Sequence, residues 1–185
     1  MQGIKGEVEK MKIRHGFVSN SSSSSFVVAF PHKPETVEDL KEMMFGKQEW
    51  HYDWISESDV PILPIAEKVF SRITGKATDN EVFESIRNGW FDSYWELPGH
   101  ADCWDDPEYR RLNHQDPNWQ EESRAIWDKY DTINDKRARD IADAFLQAFG
   151  DRYVVVMVFA DGAGDAVEEH TDIFKRLEHI KTSYH

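Results

Sequence analysis

The chain is poor in cysteine, in positive charge and in long apolar runs, and each deficit excludes something. Its 185 residues include one cysteine, Cys103, so no intramolecular disulfide framework exists and a reducing compartment is the natural setting. No run approaches the ~20 apolar residues that a membrane-spanning helix needs. Lysine and arginine number 22 against 35 acidic residues, a formal net charge of −13. A fold that acidic repels nucleic acid unless a basic face is segregated, and the sequence shows no such face. Complete catalytic signatures are missing as well. There is no Gly-rich loop ending in Gly-Lys-Ser/Thr, no Gly-x-Ser-x-Gly elbow, no His-Glu-x-x-His pair and no EF-hand loop.

What is present is enough to fold. The hydrophobic fraction is 39% and the aromatic fraction 13%, with seven Trp and eleven Phe, whereas disordered chains are poor in aromatics. The length fits one domain with a real core. The opening "MQGIKGEVEK" lacks the apolar core of a signal peptide, which points to the cytoplasm. Met11 begins a second start-like phrase. Residues 1–10 are therefore expected to be a weakly ordered extension, and residues 11–185 a single domain.

Local patterns place the elements. Phe26 to Phe30 is rich in β-formers and stops at Pro31, which fits a short buried strand. Thr36 with Asp39 caps a helix whose stripe is Val37, Leu40, Met43 and Met44, stopped by Gly46. "QEWHYDWISESD" shows no period and reads as loop. Ile62 to Ile73 reads as a helix with Ile65, Val69 and Ile73 on one face. Thr78 and Glu81 form a capping-box pattern before Val82, Ile86 and Trp90. Between Asp92 and Pro117 no period survives, and three prolines punctuate a long Trp-rich acidic loop. Trp119 to Tyr130 is helical. From Thr132 a helix starts again or continues, with Ile141, Phe145 and Phe149 buried and Gly150 as its stop. "RYVVVMVFAD" is the strongest strand, and its unbroken apolar run predicts a central position with Val27–Phe30 beside it. Glu168 to Leu177 reads as a short helix and His179 to His185 as a last strand. The predicted class is α+β: a small mixed or antiparallel sheet from both chain ends (about 26–30, 152–160 and 179–184) packed with a helical middle.

The phrase "GFVSNSSSSSFVVAF" holds five consecutive serines between apolar anchors. One reading is a linker. A second is a small-residue segment that approaches another element closely, its hydroxyls satisfying nearby backbone. A third makes Asn20, Ser21, Ser22, Ser23, Ser24 and Ser25 an anion-binding loop of successive N–H and hydroxyl groups. Modification of the serines is a fourth.

"MKIRHGFVSNSSSSSFVV" resembles the opening of a scattered group of small proteins from tailed phages and bacteria. The end of the chain is similar to theirs too, in Glu169, His170, Ile173, Phe174, Leu177, His179, Ile180, Ser183 and His185. The resemblance covers the two ends, roughly a quarter of the chain. It implies a phage or prophage origin, hence a host cytoplasm, and a common fold at the ends. It implies no activity.

Two functional readings follow. The first is an accessory factor that binds a protein partner with a basic surface, without cofactor, through the acidic aromatic loop. Its binding residues are Asp92, Trp95, Glu96, Asp102, Trp104, Asp105, Asp106 and Glu108, because aromatic anchors with a charged rim dominate interface energetics. The alternative is a hydrolase between the serine loop and the C-terminal histidines, with His170, His179, Ser183 and His185 as catalytic candidates. In that reading His170, His179 and His185 are also the candidate ligands for a divalent metal, with Asp161, Asp165 and Glu169 adding oxygens. An extended strand would set His179 and His185 ~20 Å apart, too far for one ion without a bend. Cys103 lies among acids, which raise a thiol's pKa, and reads as structural.

Overall fold

The computed structural model describes residues 23–53, 57–92, 103–160 and 173–184. The chain runs β1 (Ser23–Phe30), α1 (Val37–Phe45), β2 (Trp50–Asp53), β3 (Ser58–Pro61), α2 (Ile62–Arg72), α3 (Asp79–Asp92), two 3-10 turns (Cys103–Asp105 and Tyr109–Arg111), α4 (Trp119–Phe149), β4 (Tyr153–Ala160) and β5 (Glu178–Tyr184). The α+β class holds, and the main sheet is built from the two chain ends. Residues 1–10 lie outside the described residues.

The sheet is antiparallel with the order β4-β1-β5. This corrects the expected order in one respect: β1, not the apolar β4, is the central strand. β4 sits at an edge, and its strongly apolar sequence has another cause. β4 packs into both cores, with Val155, Met157 and Phe159 in one and Val154 and Val156 in the other, so it is apolar on both sides even at an edge. The last strand therefore pairs with β1 and not with β4. Val28 faces Val155 on one side and His179 on the other, and Val27 faces Val156 and Ile180.

Strand alternation then sorts the side chains into two cores. Phe26, Val28, Phe30, Val155, Met157 and Phe159 point to the face covered by α1, α2 and Ile173, Phe174 and Leu177. Val27, Ala29 and Val154 point to the other, against Val82, Phe83 and Ile86 of α3 and Ala138, Ala142 and Phe145 of α4. Phe26 is fully buried, with its ring 5.8 Å from that of Phe159 and 5.1 Å from that of Phe174. The coverage fails at one end of β4, where Val158 is 49% exposed.

The predicted caps form as their chemistry requires. Thr36 Oγ1 accepts from the Asp39 N–H at 3.1 Å, and Glu35 N–H donates back to the Asp39 carboxylate. Thr78 and Glu81 exchange the reciprocal pair of a capping box. Gly46 closes α1 at φ 64°, ψ −131°, a conformation that favours glycine. The Arg176 guanidinium lies so close over Gly46 that a Cβ there would overlap it. That places a cation at the C-terminal end of α1, whose own last turn holds no basic residue.

Two further expectations change, and one open alternative is decided. The segment expected as loop around Trp50 contains a second sheet, the β2–β3 ribbon. The helix from Trp119 continues through Thr132 as a single helix of 31 residues, whose small Ala138 and Ala142 let it approach α3. Residues 173–177, expected at the end of a helix, form a turn into β5.

The serines are resolved by the same sheet. Ser23, Ser24 and Ser25 are the first three residues of β1, not a loop in front of it. Ser24 and Ser25 are buried. Ser25 Oγ is 2.6 Å from Ser85 Oγ on α3, and Thr182, opposite Ser25 on β5, reaches the Ser85 carbonyl at 3.5 Å. Small hydroxyl residues thus stand where α3 crosses the sheet, each with a polar neighbour at hand, as buried hydroxyls require.

Two outcomes test this architecture. The Ser25 amide should exchange with solvent only on global unfolding, as measured by native-state hydrogen exchange; exchange as fast as in a free peptide would restore the linker reading. Phe26→Ala should cost about 3–5 kcal/mol in urea unfolding, because it empties a site walled by two other rings.

Candidate functional site

The acidic aromatic segment is the strongest candidate the sequence offers, and its described part, 103–117, is anchored on α4. Asp106 makes the anchor. Its side chain is only 5% exposed. One carboxylate oxygen accepts from the Glu108 backbone N–H at 2.8 Å, and the other from Lys129 Nζ and Tyr130 Oη at 3.0 Å each. The Glu108 N–H, then Lys129 and Tyr130, hold its pKa down from 3.8 to about 2, against the opposing effect of burial. In return the Lys129 ammonium is held protonated above its usual range, and burial with the Asp106 hydrogen bond pushes the Tyr130 phenol up.

Around this anchor the chain folds tightly. The Asp106 N–H donates to the Cys103 carbonyl and the Arg110 N–H to the Asp106 carbonyl, each at 3.0 Å. Arg110 Nε donates to the Trp104 carbonyl at 3.1 Å. Tyr109 is buried and meets Trp104 edge-on, with centroids 5.1 Å apart and planes at 85°. Trp104 itself stays 58% exposed. A buried carboxylate, a cation and a phenol are thus used to hold an indole in water. Glu108 is exposed as well.

The other predicted residues fall in several places. Asp106 is turned inward and already bonded, so it belongs to the support and not to an open acidic patch. Asp105 lies in the first 3-10 turn, and Asp92 is the last residue of α3. Trp95, Glu96 and Asp102 lie outside the described residues. So do Asn20, Ser21 and Ser22 of the anion-loop reading, and Asp161, Asp165, Glu169, His170 and His185. Ser23, Ser24 and Ser25 occupy the central strand, where the ladders to β4 and β5 claim the backbone N–H groups that an anion nest needs free. The sheet does bring the serines to the C-terminal strand, pairing Ser24 with Ser183. His179 is half-buried on the same face of β5, with Nδ1 3.0 Å from the Leu177 carbonyl and its ring 6.1 Å from that of Phe174. Among the described residues no group of three His, Cys, Asp or Glu side chains is placed to hold a metal. Nor is any helix among them long and apolar enough to cross a membrane.

Sequence reading missed one exposed feature altogether. Trp50 and Tyr52 of β2 are 61% and 59% exposed, while His51 between them is buried against Phe45. The strand is four residues long, too short for a period-2 signal to stand out, but the order aromatic–His–aromatic was visible.

The Asp106 anchor predicts a pH and mutation response. A carboxylate whose folded pKa lies below its unfolded value adds stability that is fully present above the unfolded value, 3.8, and is lost as pH falls towards about 2. Carboxyl NMR titration should therefore find Asp106 still ionised at pH 3. Asp106→Asn should free the 103–111 segment, seen as loss of the Trp104 indole's dispersed NMR signal, while the sheet stays intact; an unchanged signal would remove Asp106 from its anchoring role.

No family model, no curated protein and no solved structure matches the chain, so its function is read from its own residues.

Proposed function

We propose that this protein is an acidic accessory factor that acts by docking on a basic protein surface, with Trp104 as an anchor. The observation that carries this reading is the pairing of exposure with rigidity. Trp104 is open to solvent, yet it is braced by Tyr109, Arg110 and the Asp106–Lys129–Tyr130 cluster. A braced indole loses little conformational freedom on binding, which is how aromatic hot spots gain affinity. The charge of −13 sets the sign of the partner and favours fast encounter with a basic one. The resemblance of the chain ends supports a phage-encoded factor working in the host cytoplasm. The hydrolase reading has less support: Ser24 and Ser25 are buried in a central strand, and Ser25 is already engaged by Ser85.

The test is capture of a partner from host cells, followed by kinetics across a salt series. Trp104→Ala should raise the off-rate by about 30-fold, the scale of a hot-spot residue. Reversing the exposed Glu108 to Lys should slow association most at low salt, since exposed charges are screened beyond ~8 Å at physiological ionic strength. Binding indifferent to both changes would remove this segment from the interface.

A further inference from the structure

The β2–β3 ribbon has two unlike faces. Cross-strand partners lie on the same side, so Trp50 and Tyr52 share the outward face with Pro61 and Asp59, their opposite numbers. The inward face carries His51, whose ring meets Phe45 at 5.8 Å, and Val60, which packs on the core. The Ile62 N–H closes the ribbon's base on the Glu49 carbonyl at 3.0 Å. Its inner side thus fastens the ribbon to the domain and leaves Trp50, Tyr52, Asp59 and Pro61 in water.

From this juxtaposition we propose that the outward face of β2–β3 binds an arginine side chain of a basic protein partner, independently of Trp104. Three features select that occupant. Side chains two apart on a strand stand ~7 Å from each other, the gap that a planar group fills when it stacks between two rings at van der Waals distance. Guanidinium is planar and cationic, and it stacks on the electron-rich faces of Trp and Tyr. Asp59 stands directly across from Tyr52, about 5 Å away between Cα atoms, where its carboxylate can take the guanidinium's N–H groups in a charge-assisted pair. The neighbouring sequence favours a cation too, since no lysine or arginine occurs from residue 48 to residue 67 while five carboxylates do, of which Glu49 is paired with Lys41 of α1. A lysine ammonium would satisfy the charge but neither the stacking nor the forked hydrogen bonds.

The experiment is calorimetric titration of the full chain with a blocked tetra-arginine peptide and with tetra-lysine of equal charge. Tetra-arginine should bind about fivefold more tightly, the scale of an exposed stacking and pairing contact. Amide shifts should centre on 50–61. Tyr52→Ala and Asp59→Asn should each weaken tetra-arginine binding about fivefold, whereas Asp143→Asn, which removes the same charge from the exposed side of α4, should not. Asp59 is exposed, so its variant reads recognition even if Tyr52→Ala loosens the ribbon. Equal affinity for the two peptides, no binding of either, or equal losses in Asp59→Asn and Asp143→Asn would overturn the proposal. Self-association of the free protein that Tyr52→Ala abolishes would also overturn it, by assigning the face to a second copy of the chain.

Discussion

The pairing of β1 on both of its sides is the constraint on which the rest depends. It joins Ser23–Phe30 to Tyr153–Ala160 on one flank and to Glu178–Tyr184 on the other. Every pair in these ladders is separated by more than a hundred residues. The loop-closure entropy of bringing them together must be met before any of the contacts contribute. Burial on both faces of β1 supplies the return, since Phe26, Val27, Val28, Ala29 and Phe30 are all removed from water. α1 and α2 meet one side of the sheet and α3 and α4 the other, so among the described residues both cores are built on the same three strands.

That arrangement explains the serines. A helix crossing a central strand needs room at the crossing, and room comes from small side chains. Ser25 and Ser85 meet there through their hydroxyls at 2.6 Å. A larger apolar residue at either position would push α3 off the sheet. Serine keeps α3 close at the cost of burying a polar group, and the partner hydroxyl offsets that cost.

The exposed aromatics sit on elements outside the two-sided core. Trp104 is carried by 3-10 turns fastened to α4 through Asp106, and Trp50 and Tyr52 by a two-stranded ribbon fastened through His51 and Val60. A short ribbon or an isolated turn has little stability of its own. Each is therefore held by one inward contact set while presenting its aromatic residues outward. Exposed rings held in this way contribute little to the fold, which makes them candidates for recognition.

Much of the fold was legible in the residues themselves. The caps at Thr36 and Thr78, the helical stripe at Ile65 and Val69 and the apolar runs at Val27 and Val154 are local signals, and each element formed where those signals lay. Strand order was not legible, because an apolar run reports burial on two faces and says nothing about hydrogen-bonding neighbours. β4 is apolar at an edge for that reason. Ser25 could not be assigned to the strand from sequence, since its buried hydroxyl finds its partner only when Ser85 arrives from sixty residues away. The candidate site was half legible. Trp104 could be named from composition, but Asp106 reads like every carboxylate around it until Lys129 and Tyr130 of α4 are set beside it. The sequence alone determined the helices with strong caps and stripes, the two apolar strands and the acidity of the molecule, because those follow from neighbouring residues and from summed charge. Only the tertiary structure decided which carboxylate is buried, which serines pack and which aromatic rings face the solvent, because each depends on a partner distant in the chain.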